Sequence, residues 1–427
     1  MSRPSETPHI DVRYIRDEDM PEWTRAWSTG YLRPAVEGAA DHMRLALSDD
    51  RAIGAFDKGR CVGTYRSSSQ ELTVPGGARL PVSAVSKVSV AGTHRRRGLL
   101  NRMLDLDLLD ARRRGEPAVV LDAAQYAIYG RYGFGPATQM AWFEIDVHRA
   151  GLHRQQSGDR PDIELVGADE YFKSAPEAYE RFRADQHGAL RRDTRWWREA
   201  TGRNVGPGST WTEPFYAVHL DEAGDVDGIM CFSAQERWGA MLPQSPLQVR
   251  DLVALGPSAE RALLRYAVSM DWVSTVHLPF RAPDTLAPHW LGDPRAARIT
   301  ALSDFMWLRI LDVPQALSAR TYATEGAVVL QVDDPLGVAH GRWLLEGGAR
   351  GGMVSVTSRS ADIRLGVQHL SSLYLGDEAA TRLAELGQVE ELRPGALRRA
   401  DALFRTGRRP WSPRAVTGDH YGQAGLG

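Results

Sequence analysis

The chain has 427 residues, 43% of them apolar and 25% charged, with a formal net charge of -2. This length exceeds what one hydrophobic core supports, so two or three domains are expected, and the composition is that of an ordinary globular protein. No long block of like charge points to nucleic acid and no apolar run is long enough to span a bilayer; Cys61 and Cys231 lie far apart without a CxxC or clustered histidines, which indicates no metal site.

The first nine residues read as an unstructured lead without the apolar segment of a signal peptide, so a cytoplasmic location is expected. Ile10 to Ile15 alternates as a first strand. Asp17, Glu18 and Asp19 ahead of Met20 mark a helix start, with acids at the positive end of the dipole. The helical segment that follows carries Trp23, Trp27 and Tyr31, with Glu22, Glu37 and Asp41 nearby. Two readings fit. Trp23 and Trp27, four residues apart, form one buried helix face, or rings and carboxylates together line a site for a cationic amine. Arg51 to Tyr65 predicts a hairpin through Asp57-Lys58-Gly59, and a second strand pair brackets Pro75-Gly76-Gly77.

Val85 to Val90 is a β-branched run broken by Lys87, hence a strand. A turn, Ala91-Gly92-Thr93-His94, leads into Arg95-Arg96-Arg97-Gly98. From Leu99 the apolar spacing becomes helical through Leu109 and closes on Arg112-Arg113-Arg114-Gly115. Ala118 to Leu121 is a second strand, followed by a Gly/Tyr-rich loop from Tyr126 to Gly135. Strand, basic glycine turn and helix make an anion site, because the first helix amides lack intrahelical partners and carry the positive end of the dipole. A diphosphate can dock there, with Gly98 permitting close approach and three arginines adding charge-assisted hydrogen bonds. The spacing is neither a P-loop nor a dinucleotide fingerprint, and taken alone it favours a solvated basic helix start over an anion site.

The strand MAWFEIDV closes the first domain near Val147, and the polar residues 148–160 read as a linker. A second α/β unit follows: a helix in YFKSAPEAYERFRADQHGAL, strands FYAVHL and DGIMCFSAQERW, then strand, helix and strand in RDLVALGPSAERALLRYAVSMDWVSTVHL. Its helix is preceded by Gly256-Pro257-Ser258 rather than by a basic turn, which predicts no diphosphate site there. After FMWLRILDVPQAL, alternation through VVLQVDD, HGRWLLEG, MVSVTS and IRLGVQHL predicts antiparallel strands, and SSLYLGDEAATRLAELG and PGALRRADALFRTG predict helices.

Arg95 to Gly98 after a strand resembles the acetyl-CoA pyrophosphate loop of GNAT N-acetyltransferases, and THRRRGLL with GEP and IYGRYGFGPAT behind it is similar to the Eis family. GALRR, Trp196-Trp197 and DPRA (Asp293 to Ala296) are matching landmarks in the second unit. The resemblance implies an α/β (α+β) architecture: a catalytic GNAT domain over residues 10–148, a degenerate GNAT domain over 149–312 and a sterol-carrier-like α+β domain with an extended tail over 313–427. It further implies an acetyl-CoA cosubstrate, no metal, no nucleic-acid or membrane partner, and a homohexamer.

For chemistry, the resemblance implies that acetyl passes directly to a primary amine of a cationic small molecule, of aminoglycoside or peptide type. Val88, Ser89 and Val90 would offer backbone groups to the cosubstrate, with Arg95, Arg96, Arg97, Gly98, Leu99, Ala124 and Tyr129 completing its site. Tyr129, in the IYGR position, would be the general acid on the leaving sulfur; a phenol, with pKa about 10, is protonated at neutral pH. Tyr126 and Tyr132 beside it read as packed core. The family's base is the C-terminal carboxylate, here Gly427 after a tail that runs past Pro410-Trp411-Ser412-Pro413; Asp419 or His420 are the alternatives, and a floppy tail with a water shuttle is a further one. Trp23, Trp27, Glu37, Asp41 and Asp122 are the acceptor-side candidates. Two other functions stand beside this one: acetylation of protein lysines, and an apolar-ligand binding protein that keeps the GNAT fold as scaffold.

Overall fold

The computed structural model describes residues 10–34, 36–47, 51–151 and 162–416. The first unit threads β1 (Asp11–Tyr14), α1 (Met20–Gly30), α2 (Ala39–Ala46), β2 (Arg51–Asp57), β3 (Arg60–Thr73), β4 (Arg79–Val90), α3 (Leu99–Arg113) and β5 (Ala118–Asp122). The one-turn α4 (Tyr126–Tyr129) and the short β6 (Gly135–Pro136) follow. The alternation of strands β1 to β5 and the 3.6-residue spacing of Leu99, Met103, Leu104, Leu108 and Ala111 produce these elements, and those α3 side chains are buried against the sheet.

The second unit consists of β7 (Gln139–Asp146), β8 (Ile163–Val166), α5 (Ala168–Asp185), α6 (Thr194–Ala200), β9 (Phe215–Leu220), β10 (Val226–Ala234), the hairpin β11–β12 (Trp238–Gly239 and Leu242–Pro243), β13 (Ser245–Ala254), α7 (Pro257–Val268), β14 (Val273–Arg281) and β15 (Ala297–Asp304). After β16 (Met306–Ile310) comes the third unit: α8 (Val313–Ala319), β17 (Gly326–Asp333), β18 (Gly341–Gly348), β19 (Gly351–Val356), β20 (Ile363–Gly366), α9 (Val367–Leu373), α10 (Ala380–Glu385), β21 (Val389–Glu391) and α11 (Ala396–Phe404).

Besides the two-stranded β11–β12 ribbon, the described residues form three larger sheets, ordered β1-β2-β3-β4-β5-β16-β6, β15-β7-β14-β13-β10-β9-β8 and β19-β18-β17-β20-β21. The first two share a plan: antiparallel throughout except for one parallel contact, β4 with β5 and β13 with β14, each joined by a crossover helix.

Two strands differ from the sequence expectation. MAWFEIDV does not close the first sheet; as β7 it lies between β15 and β14 in the second. The first sheet is instead extended by β16, which returns from beyond the second unit to pair with β5 and β6. The patterns fit these places. β7 alternates between buried and half-exposed positions, whereas all five residues of β16 are buried, as a strand covered on both faces requires. One face of β4, β5 and β16 shares an apolar cluster with α8, β17 and α9, and the other face lies against α3. The helix read over SSLYLGDEAATRLAELG breaks into α9 and α10 around Gly376.

The turn at Pro75–Gly77 touches the rest of the molecule: Thr321 donates its amide to the Pro75 carbonyl (2.8 Å), and Leu72 bridges to Leu190. No helix among the described residues is long and apolar enough to cross a membrane. Burial pushes the Cys61 and Cys231 thiols up to about 12, so both stay protonated hydrophobes, as read from the sequence.

Candidate active site

β4 and β5 pair through Val82–Ala118, Ser83–Val119 and Ala84–Val120, then part. Beyond that fork β4 continues to Val90 held by β3, and β5 continues to Asp122 held by β16. A bulge drives the separation. Thr64 pairs with Ser89 but Arg66 pairs with Ser86, leaving Lys87 and Val88 opposite Tyr65, and Lys87 adopts φ 52. The Thr64 hydroxyl donates to the Lys87 carbonyl (2.8 Å) and lies 2.8 Å from the Ser89 hydroxyl, fixing the bent arm. Sequence reasoning saw Lys87 as a break in an apolar run and missed the bulge.

The arm leads into the basic turn. His94 sits 3.0 Å from Asp57 on the β2–β3 turn, and Arg97 donates to the Thr93 carbonyl (3.3 Å). Arg95, Arg96, Arg97 and Gly98 are exposed, whereas the Leu99 side chain is buried in the core. Gly98 takes φ 71 as the α3 N-cap, a left-handed conformation that glycine adopts without steric cost, and no side chain caps the helix. The start of α3, which follows the bent arm and the three exposed arginines in the chain, therefore carries no side-chain cap on its first amides.

Tyr129, at the end of α4, is 9% exposed and lies edge-on to Phe134, in the apolar cluster with Leu99, Met103 and Tyr65. Tyr65 donates to Asp107 (2.9 Å), as does Ser67 (2.6 Å), so a buried carboxylate anchors the sheet to α3. Tyr132 is packed as expected and donates to Asn101 (2.6 Å), but Tyr126 is 65% exposed, against expectation, with its ring edge-on to Trp307. Ala124 is exposed on the bend after β5.

The acceptor-side candidates separate. Trp27 lies by the bent arm, with the Lys87 ammonium 4.1 Å from its ring centroid. Asp122 ends β5 at the fork. Trp23, however, is fully buried and donates its indole N–H to the Ile53 carbonyl (2.9 Å), so it is core rather than acceptor wall. Glu37 is an exposed turn residue, and Asp41 is exposed and paired with Arg44 at 2.5 Å; neither approaches an enclosed wall. Gly427, Asp419 and His420 lie outside the described residues.

What precedes the tail is defined. Trp411 accepts a place in the second unit by donating to the Phe280 carbonyl (2.7 Å), and Arg414 donates to the Arg191 carbonyl (3.0 Å). Burial pulls the Arg414 pKa down, while nearby Tyr179, Asp193 and Asp122 act to raise it. Val416 belongs to the apolar cluster that includes Ala84 and Val120, the last paired residues before the fork.

The second unit has a fork too, since β13 and β14 pair only as far as Gln248–His277 before both continue. Here it is bridged. Arg281 donates across it to the Leu252 carbonyl (2.6 Å) and pairs with Glu260 in the first turn of α7, and Trp411 stacks 4.6 Å from that guanidinium. A carboxylate and Pro257, which has no N–H, stand where α3 offers open amides.

Comparison with known proteins agrees with this geometry. Residues 11–137 and 188–310 match two acetyltransferase (GNAT) domain families, and residues 313–413 match the sterol carrier protein domain family. An uncharacterized N-acetyltransferase of Streptomyces griseus is 51% identical over 95% of this chain and 99% of its own length. The N-acetyltransferase Eis of Mycobacterium tuberculosis is 34% identical over 88% of this chain and 91% of its own. The crystal structure of Eis1 from Mycobacterium abscessus superposes with a TM-score of 0.82 at 33% identity, covering 95% of this chain and all of that one. Two forked GNAT sheets, a sterol-carrier-like third unit and end-to-end similarity to these enzymes place the chain in the Eis family of GNAT N-acetyltransferases.

Proposed function

We propose that the first unit transfers the acetyl group of acetyl-CoA directly to a primary amine of a small molecule or peptide. The observation that carries this reading is the fork between β4 and β5, followed along β4 by the exposed run Arg95, Arg96 and Arg97 and the uncapped start of α3. The diphosphate would be held by those guanidinium groups and by the amides at Gly98 and Leu99. The pantetheine arm would follow the backbone of Val88, Ser89 and Val90, with Ala124 on the opposite side of the mouth. As the neutral amine nitrogen bonds to the acetyl carbon, the carbon–sulfur bond breaks and the Tyr129 phenol gives its proton to the departing thiolate. The transfer as written uses no metal.

Arg281, Glu260 and Trp411 in the second fork favour the first unit as the sole acyl-carrier site. The amine-side proton is assigned to the carboxylate of Gly427, with Asp419 and His420 as alternatives. On the acceptor side Trp27 and Asp122 are retained. Aminoglycoside-like and cationic peptide amines are the acceptors to test first, and lysine side chains of a protein are the second class. The apolar-carrier reading loses ground, because Tyr322, Tyr374 and Phe404 fill the interior of the third unit around Arg320. A cytoplasmic homohexamer belongs to the same proposal, with light scattering as its check.

Thiol release from acetyl-CoA, measured across a panel of aminoglycosides, cationic peptides and a lysine-rich protein, tests the reading. Thiol production with at least one amine, with the matching acetylated product, is expected. Silence across the panel together with no calorimetric binding of acetyl-CoA would overturn it.

A further inference from the structure

The loop that carries Tyr129 is gripped from the third unit. After Tyr129 the chain makes a short turn over Gly130–Tyr132, reverses at Gly133 with φ 81 and enters β6, which pairs with Trp307 and Leu308 of β16. Arg309, on the same strand and fully buried, donates one guanidinium nitrogen to the Tyr132 carbonyl and the other to both oxygens of Asp334 (3.1 and 3.0 Å). Asp334, just after β17, also accepts the amides of Leu336 (3.1 Å) and Ala339 (2.9 Å), so its carboxylate is immobilised by four bonds. The loop has no slack at this point: a Cβ on Gly133 would fall 1.7 Å from the Arg309 guanidinium, and one on Gly135 would fall 2.0 Å from the Gln368 carbonyl of α9. On its other side Tyr132 donates to Asn101 in the first turn of α3, the turn that carries the proposed diphosphate site.

We infer that Arg309 and Asp334 are positioning residues for Tyr129: the third unit sets the place of the phenol relative to α3 through Arg309 and the Tyr132 carbonyl. The inference rests on the proposed acid role of Tyr129. A buried ion pair of this kind is a poor source of net stability, because desolvating both charges offsets their attraction. Geometry is its better-supported use, since a displacement of about 1 Å at a reacting group costs roughly 100-fold in rate. A sterol-carrier-like fold with a filled interior thereby has a role in acetyl transfer without carrying lipid.

The full-length enzyme is compared as wild type, Asp334→Asn, Tyr129→Phe and the double variant, reading kcat, acceptor KM and calorimetric acetyl-CoA affinity. The expected result is a kcat loss of about 10-fold or more in D334N with acetyl-CoA affinity within about 2-fold, and no further loss when D334N is added to Y129F. Should D334N fail to fold, Arg309→Lys, which keeps the charge but cannot span both partners, is read in the same way. An undiminished kcat in D334N, a loss that multiplies with that of Y129F, or a collapse of acetyl-CoA affinity overturns the positioning role while leaving the acid reading intact. If Y129F itself keeps full kcat, the acid reading fails and the positioning role falls with it.

Discussion

Tyr129 and Trp23 show how differently two aromatic residues of one domain are used. Tyr129, the proposed acid, is 9% exposed and otherwise packed in the apolar cluster against α3. Tyr129→Phe is expected to lower kcat by about 100-fold, the lower range for loss of a general acid, without weakening acetyl-CoA binding; steady-state kinetics and calorimetry check this. Trp23→Phe should do the reverse. It leaves the Ile53 carbonyl without its donor, costing about 1–3 kcal/mol in denaturant unfolding, while acceptor KM stays unchanged. Replacing Arg95, Arg96 and Arg97 together by alanine should raise the acetyl-CoA dissociation constant by at least about 10-fold, given ~1.5–3 kcal/mol for a hydrogen bond to a charged group. The residual binding should also lose most of its salt dependence, because the exposed charges that salt screens are gone.

Among the elements, the segment joining α5 to α6 and the segment after α11 meet at His187. Its Nε2 lies 3.2 Å from Thr406, and its carbonyl accepts the Trp411 amide (3.0 Å). Burial, reinforced by Arg320, pulls the imidazole from 6.5 down to about 4. Between those values the unfolded chain binds a proton that the folded chain refuses. His187 therefore contributes its stability in full above pH 6.5, and that contribution is lost as the pH falls towards 4. Urea unfolding should show wild type losing about 3 kcal/mol more than His187→Gln across that window. The same C-terminal segment brings Val416 into the apolar cluster that β4 and β5 share with the third unit, and removing residues 417–427 tests the proposed base: kcat should drop at least about 10-fold with acetyl-CoA affinity retained.

At the scale of the whole molecule, the exchange of β7 and β16 makes the first two units interdependent. A fragment ending at residue 148 would expose the β5 edge that β16 covers and would carry β7 with no sheet to join. Such a fragment is expected to be insoluble or molten, while the full chain unfolds the two sheets in one cooperative transition; calorimetry of both proteins checks this. The Arg183–Glu71 ion pair (2.7 Å) and the Leu72–Leu190 bridge add further ties between β3 and the second unit.

Much of this was legible in the residues. Period-2 and period-3.6 patterns located most strands and helices, and the run from Val85 to Tyr129 carried the resemblance to the family and the proposed anion site, because a helix start with a glycine turn and three arginines is a local feature. Partners distant in sequence were not legible. Alternation says that a strand has a buried face but not which sheet receives it, so MAWFEIDV was placed in the wrong sheet, although the apolar residues without alternation on either side of Arg309 carried the signal of a strand covered on both faces. Carboxylates near aromatics in sequence suggested an acceptor wall, yet Glu37 and Asp41 are exposed and Trp23 is core. By itself, then, the sequence determined the local chemistry, since helix-start amides and adjacent side chains act within a few residues of each other. The bulge at Lys87, the bridged second fork and the Arg309–Asp334 grip on the tyrosine loop were decided by tertiary structure, because each depends on groups brought together by packing rather than by the chain.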